Sequence, residues 1–213
     1  MSISPRPFLF SVSGPYGVGK DTLLDALHNR FPEMLHRVRA LTTRPVDERV
    51  DLWYESVSPE ELQHRTSRGR WIVNRQLGGS VTYAISIDEI NSAHDSGLIC
   101  IQSIFAGPDG AGKLREFFGR TLLSIGIVAA RASLDVQLAI LRERLTRRGR
   151  DTAELINIRL RHQHEPILYI EQNPLIESPD GPMRVFDESI VNDNLQVANE
   201  NVANLVEQFM RHN

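Results

Sequence analysis

Short apolar runs alternate with amphipathic stretches along this chain. Phe8 to Ser13 is apolar and stops at Gly14-Pro15, which predicts a short buried strand. Leu23, Leu24, Leu27 and Phe31 then recur at helical spacing, so Thr22 to Phe31 is predicted as an amphipathic helix ended by Pro32. His36 to Leu41 predicts a second strand. From Thr43 to Val81 no period dominates, and the charge, glycine and aromatic content predicts a small inserted unit with some strand. A helix is predicted over Asp88 to Ser96, stopped by Gly97, followed by buried strands over Leu98 to Ile104 and Thr121 to Ala130. Ser133 is placed to cap a helix carrying Leu134, Leu138, Leu141 and Leu145, which Gly149 breaks. Asp151 and Glu154 read as a cap and its partner, opening a helix to about Tyr169 that Pro166 kinks. Asn173 to Pro182 is a proline-rich loop, Ser189 to Asn192 a last strand, and Leu195 to Met210 a closing helix.

Strands that alternate with helices predict an α/β domain with a mainly parallel sheet. The length of 213 residues suits a single domain with room for a mobile flap. Net charge is −3, without the basic excess of a nucleic-acid binder, so no nucleic-acid partner is expected. The apolar stretch at Phe8-Leu9-Phe10 is too short for a signal peptide or a membrane span, so no membrane partner is expected and a cytoplasmic protein is. Cys100, the one cysteine, lies inside an apolar run and is read as a core residue.

The chemistry begins with Gly14-Pro15-Tyr16-Gly17-Val18-Gly19-Lys20. A triphosphate needs many donors at close range. Glycines let backbone amides converge, the following helix presents its positive end, and Lys20 adds a point charge. Gly-x-x-x-x-Gly-Lys arises by accident in a chain this long on the order of 5% of the time, so context has to carry the assignment. The same three positions recur in Gly107-Pro108-Asp109-Gly110-Ala111-Gly112-Lys113. That copy is read as a flexible turn before a short helix at Leu114 to Phe118, the alternative being a secondary anion site. The first copy alone has a hydroxyl, Thr22, two places after its lysine. It carries Asp21 where Ser or Thr normally meets Mg²⁺, which leaves the metal ligands unassigned.

Four further segments accompany the loop in order: Thr42-Thr43-Arg44-Pro45; Tyr54 before Val57-Ser58; Arg144-Leu145-Thr146-Arg147-Arg148-Gly149 with Arg159-Leu160; and Phe186-Asp187-Glu188-Ser189-Ile190-Val191-Asn192-Asp193. This order resembles the guanylate kinase family over nearly the whole chain. Gly19-Lys20-Asp21-Thr22, Tyr83-Ala84-Ile85 and Arg147-Arg148-Gly149-Arg150 look closer to the related ribose 1,5-bisphosphate kinases. The resemblance implies a P-loop three-layer fold of the nucleoside monophosphate kinase type. Its core would comprise 1–42 and 86–213, its acceptor-binding flap about 43–85 and its lid about 144–160.

It also implies roles. ATP with Mg²⁺ would be bound by Gly14, Tyr16, Gly17, Val18, Gly19, Lys20, Asp21 and Thr22. The acceptor phosphate would be gripped by Arg44 with the hydroxyls of Tyr54 and Tyr83 beside it. Lys20, Arg144, Arg148 and Arg159 would serve the transferring phosphoryl group. Arginine forks suit equatorial phosphate oxygens, and Arg144 and Arg148, four apart, share a helix face.

The resemblance breaks at the acceptor end. The positions that read guanine in guanylate kinases fall on Ala40, on Val73 or Asn74, and on Gln102. The second phosphate arginine falls on Asp47, with Arg49 as a substitute. The expected function is therefore an ATP-dependent kinase acting on a phosphorylated small molecule, a nucleoside monophosphate such as GMP or a sugar phosphate such as ribose 1,5-bisphosphate. The alternatives are a non-catalytic guanylate-kinase-like binding module, disfavoured by the presence of Lys20, Arg144 and Arg148, and a P-loop hydrolase. Oligomeric state is left open between monomer and homodimer.

Overall fold

The computed structural model describes residues 9–45, 52–76 and 80–211. Phe8, Asp47 and Arg49 lie outside the described residues. The chain runs through β1 (Leu9–Ser13), α1 (Lys20–Arg30), β2 (Leu35–Arg37), β3 (Ala40–Thr42), β4 (Tyr54–Ser56), α2 (Pro59–Thr66), β5 (Trp71–Gln76), β6 (Val81–Ser86) and α3 (Ile87–Asp95). It continues through β7 (Ile99–Ile104), a π-helical turn (Pro108–Gly112), α4 (Lys113–Phe118), β8 (Leu122–Val128), α5 (Leu134–Arg148), α6 (Ala153–Arg161) and α7 (His164–Gln172). β9 (Leu175–Ile176), β10 (Met183–Arg184), β11 (Glu188–Val191) and α8 (Leu195–Arg211) complete it.

Five strands form an all-parallel sheet in the order β11-β8-β1-β7-β2. β1, β7 and β8 are buried at every position, as a parallel sheet covered on both faces requires. One face packs Phe10, Val12 and Ile101 against Leu23, Leu24 and Leu27 of α1 and Val202 and Val206 of α8. The other packs Leu9, Cys100 and Ile104 against Ile90 of α3 and Leu114 of α4. Cys100 is a core residue, and burial pushes its thiol up to about 12. Strand order reverses at β1, which places the loop after β1 in the crevice where ligands of open α/β sheets bind.

A second sheet, β4-β3-β6-β5, is inserted between β2 and β7. Ala40, Thr42, Tyr83, Ile85, Ile72 and Asn74 share its inner face by register, and Ala40, Ile72 and Ile85 join the core of the main sheet. Its outer face packs Leu41 and Ala84 on Leu62 of α2. Trp53 ties this sheet to α1: its Nε1 donates to Asp25 at 2.9 Å, and the Arg37 guanidinium lies over its ring at 4.4 Å.

The single strand expected over His36 to Leu41 is two strands in two sheets. Val38 N still bonds Ile101 O of the main sheet, whereas Ala40 N bonds Trp53 O of the second. Both halves bury apolar side chains, so hydrophobicity alone runs across the division. The helix expected from Asp151 to Tyr169 is α6 and α7, broken at His162–Gln163. Pro166 has no N–H for the His162 carbonyl and its ring would clash there, so the helix breaks instead of running on with a kink. Pro166 is accommodated instead in the first turn of α7. The cap of α6 is Thr152, whose Oγ1 accepts from Leu155 N at 3.2 Å, and not Asp151.

The second glycine loop is a packed turn and not a flexible one. Gly110, Ala111 and Gly112 are buried, and their amides bond inward to Gly107 O and Phe105 O. Among the described residues, no helix is long and apolar enough to cross a membrane.

Candidate active site

The loop from Gly14 to Lys20 closes over the carboxyl end of β1. A Cβ on Gly14 would sit 2.6 Å from Ile127 O. Gly17 and Gly19 have φ of 79° and 97°, the left-handed region that an L side chain adopts only with strain. Asn192, at the end of β11, braces the loop by donating from Nδ2 to Val18 O at 2.7 Å. α1 begins at Lys20, so the unsatisfied amides of its first turn point toward the same space.

Lys20 Nζ donates to Gly14 O at 2.9 Å and Pro15 O at 3.0 Å. Burial lowers its pKa from 10.5 to about 8, the positive Arg148 and Arg159 push the same way, and Asp21 opposes them. Arg148 and Arg159 converge on one carboxylate. Arg148 Nη2 donates to Asp151 Oδ2 at 2.6 Å and Arg159 Nη1 donates to the same atom at 2.9 Å. The Asp151 side chain is 5% exposed, and its shared oxygen holds both guanidiniums at the turn between α5 and α6. The Nε of Arg159 is enclosed and has no hydrogen-bond partner among the described residues.

Arg144 lies elsewhere on its helix. Its Nη2 donates to Asn192 O, and burial, with Arg147 beside it, lowers its pKa. It therefore stands behind the loop at the end of β11, while Arg148 stands beside Lys20.

Arg44, Tyr54 and Tyr83 meet on the inner face of the second sheet. Arg44 Nε donates to Tyr83 OH at 3.1 Å, its guanidinium lies 4.7 Å from the Tyr54 ring centroid, and the two rings meet edge to face at 5.8 Å. The Tyr54 hydroxyl hydrogen-bonds Ser103 on β7, and burial is the first cause of its raised pKa.

Tyr16 joins the two groups. Its ring lies 5.1 Å from the Arg159 guanidinium, its backbone N donates to Gln163 Oε1 at 2.7 Å, and its hydroxyl hydrogen-bonds Tyr83. Val18 is buried in the core cluster beneath the loop and supports it from below. The side chain of Thr22 is exposed.

Beside Arg44, Tyr54 and Tyr83, the positions set apart in the sequence separate by face. Ala40 and Asn74 point inward, whereas Val73 is 41% exposed on the outer face. Gln102 is 1% exposed with neither amide atom hydrogen-bonded among the described residues, and Asn74 is 4% exposed with Oδ1 likewise unpartnered. An unmet buried amide is costly unless a ligand answers it.

The second glycine loop brings nothing to this cluster. Lys113 is exposed and pairs with Glu116 at 2.7 Å. A groove of about 940 Å³ between α5 and α6 is lined by Leu138, Arg142, Thr146, Asn157, Leu160 and His164 among others and contains none of the cluster.

Two cluster residues escape sequence reasoning. Asp151 looks like a helix cap, although an acid within a basic run, three after Arg148, is a usable signal. Gln163 has no signal at all, because its partner Tyr16 is 147 positions away. For the metal, no group of three His, Cys, Asp or Glu occurs among the described residues, and Asp21 and Thr22 supply hard oxygens next to Lys20. That donor set fits Mg²⁺, which keeps several waters and takes one or two protein oxygens beside nucleotide phosphates.

No family model matches the chain. Guanylate kinase 1 of Oryza sativa subsp. japonica is 30% identical over 197 residues, covering 92% of this chain and 46% of that protein. The chain thus spans about half the length of this plant relative. A guanylate kinase of a Nostoc species is 28% identical over 191 residues, covering 89% of this chain and 84% of the relative. The crystal structure of guanylate kinase from Anaplasma phagocytophilum superimposes with a TM-score of 0.65 at 19% identity, over 98% of this chain and 88% of the other. Over most of its length the chain is similar in sequence to proteins named guanylate kinase, and it shares the α/β fold of one of them.

Proposed function

We propose that this protein is an ATP-dependent kinase that transfers the γ-phosphate to a phosphorylated small molecule. The observation that carries this reading is the convergence of Lys20, Arg148 and Arg159 on one side of Tyr16, with Arg44 and Tyr83 on the other. Transfer of a phosphoryl group needs charge neutralisation and alignment more than covalent chemistry, and these groups supply both. In this reading the loop amides and Lys20 hold the β- and γ-phosphates. Arg148 and Arg159 exchange the shared Asp151 oxygen for phosphoryl oxygens, and the Nε of Arg159 already faces no acceptor of its own. Arg44, backed by Tyr54 and Tyr83, grips the acceptor phosphate. Mg²⁺ would supply charge neutralisation at the phosphates when bound, with Asp21 and Thr22 as the hard oxygens beside Lys20 that would hold it. The second sheet then acts as the acceptor-binding flap, and the α5–α6 turn as the lid.

The relatives named guanylate kinase favour a nucleoside monophosphate as acceptor. A second reading, a sugar phosphate such as ribose 1,5-bisphosphate, is favoured by the neutral inner face. Guanine offers adjacent N–H donors that a carboxylate answers best, whereas hydroxyls both donate and accept, as the amides of Gln102 and Asn74 do. The test is ADP release from ATP-Mg²⁺ over a panel of nucleoside monophosphates and ribose phosphates. Turnover with GMP alone supports the first reading, and turnover with a ribose phosphate alone the second. ATP binding without turnover of any acceptor refutes the kinase assignment.

A further inference from the structure

Tyr16 is the third residue of the phosphate loop, yet its backbone N, ring and hydroxyl each reach a partner outside the loop. Its backbone N donates to Gln163, which is 1% exposed at the break between α6 and α7 and whose Nε2 donates to Arg159 O at 2.9 Å. Its ring carries the Arg159 guanidinium at 5.1 Å and lies 6.0 Å from Lys20 Nζ. Its hydroxyl reaches Tyr83, the residue that accepts from Arg44 Nε. Backbone, ring and hydroxyl thus address the arginine turn twice and the second sheet once.

From this geometry we propose that Tyr16 is a positioning residue that assembles both halves of the site: its ring and amide seat Arg159 beside Lys20, and its hydroxyl fixes the Tyr83–Arg44 pair in register with them. The reasoning is energetic. Arg159 must stand close to the positive Lys20 and Arg148 before any phosphate arrives, and like charges repel. Asp151 offsets part of that repulsion. An aromatic face is a further electrostatic partner for a guanidinium, and one that releases it without leaving a charge behind. A carboxylate in the same place would compete with phosphate. The phenol is kept neutral by burial and by Tyr83, so it remains a hydrogen-bonding group throughout the physiological range.

This inference rests on the kinase reading for its consequence, but its test does not need an acceptor. ATP-Mg²⁺ binding is measured by calorimetry for the wild type, Tyr16→Ala, Arg159→Ala and the double variant. If Tyr16 acts through Arg159, each single change weakens ATP about tenfold and the double change is no worse than either. A hundredfold loss in the double variant means that the two act independently, and overturns the proposal. Tyr16→Phe guards against misfolding of the alanine variant. It keeps the ring, so ATP affinity stays within about twofold, while KM for the acceptor identified by the panel rises severalfold, as it does in Tyr83→Phe. A Tyr16→Phe variant with weakened ATP binding and unchanged acceptor KM also overturns it. Wild-type protein that binds ATP but turns over no acceptor refutes the kinase reading alone, and the ATP cycle still decides the role of Tyr16. Failure of the wild type to bind ATP refutes both.

Discussion

The proton on Lys20 should be coupled to nucleotide binding. Burial and two neighbouring arginines hold its pKa at about 8, against 10.5 for an ordinary lysine. A triphosphate reverses that balance, because the bound form has every reason to keep the ammonium charged. Binding above pH 8 therefore draws a proton from solution. The sign follows from the direction of the shift. Below about pH 8 Lys20 is already charged and affinity is insensitive to this group. Above it, affinity falls by about tenfold per pH unit, until the bound-state pKa is reached. If the bound-state pKa returns to the ordinary value, the full span is about 3 kcal/mol.

Calorimetry of ATP-Mg²⁺ at pH 8.5 in two buffers of different ionisation enthalpy reads the uptake directly, and the expectation is roughly 0.75 proton per nucleotide. Lys20→Arg keeps a charge that does not titrate and should show neither the uptake nor the slope. A wild type with no uptake at pH 8.5 and flat affinity from pH 7.5 to 9.5 would show that Lys20 is not desolvated before the nucleotide binds. Equal uptake in Lys20→Arg would assign the proton to another group.

Three substitutions extend the test. Lys20→Ala should abolish transfer, by about 10³-fold or more, with an unchanged thermal midpoint; wild-type turnover would show that this loop is not the active one. Lys113→Ala should change ATP affinity by less than about twofold, because Lys113 is exposed, pairs with Glu116, and follows amides already spent inside their own turn; a large loss measured by calorimetry would reinstate the second loop as an anion site. Arg115→Ala should destabilise by about 3–5 kcal/mol, or roughly 10 °C in a thermal melt, because the fully buried Arg115 pairs with Asp187 and caps the carbonyls of Gly119, Leu122 and Val185. A shift of only one or two degrees would mean that the site relaxes around the missing charge.

The glycine loop and the parallel sheet are legible in the chain because each has a local signature, whereas Tyr54 and Tyr83 are set beside Arg44 only by the family resemblance. Gly14 to Lys20 follows an apolar strand and opens a helix, and Thr42-Thr43-Arg44 follows the strand that feeds the second sheet. What local pattern could not carry was partnership across distance. Asp151 looked like a cap until two arginines were seen to share it. Gln163 carries no local mark of its link to Tyr16, nor does Arg115 of its burial against Asp187. The duplicated glycine motif shows the converse. Its letters match, but Gly107 to Gly112 turns its amides inward, and only hydrogen bonding distinguishes a cradle from a packed turn. Arg144 and Arg148 share a helix face by spacing, yet the ends of their long side chains diverge to Asn192 and Asp151.

The clasp of Trp53 onto Asp25 has an optical consequence. The chain has two tryptophans, and both belong to the second sheet and its approaches: Trp53 is 2% exposed against α1, and Trp71 lies on the outer face with its Nε1 on Arg68 O. The helix that Trp53 touches is the one that begins with Lys20. Emission from Trp53 is therefore a built-in, label-free gauge of how the second sheet sits on the helix that begins with Lys20. A red shift would report its parting from Asp25, and stopped-flow fluorescence with Trp71→Phe as background would time that event against each ligand separately.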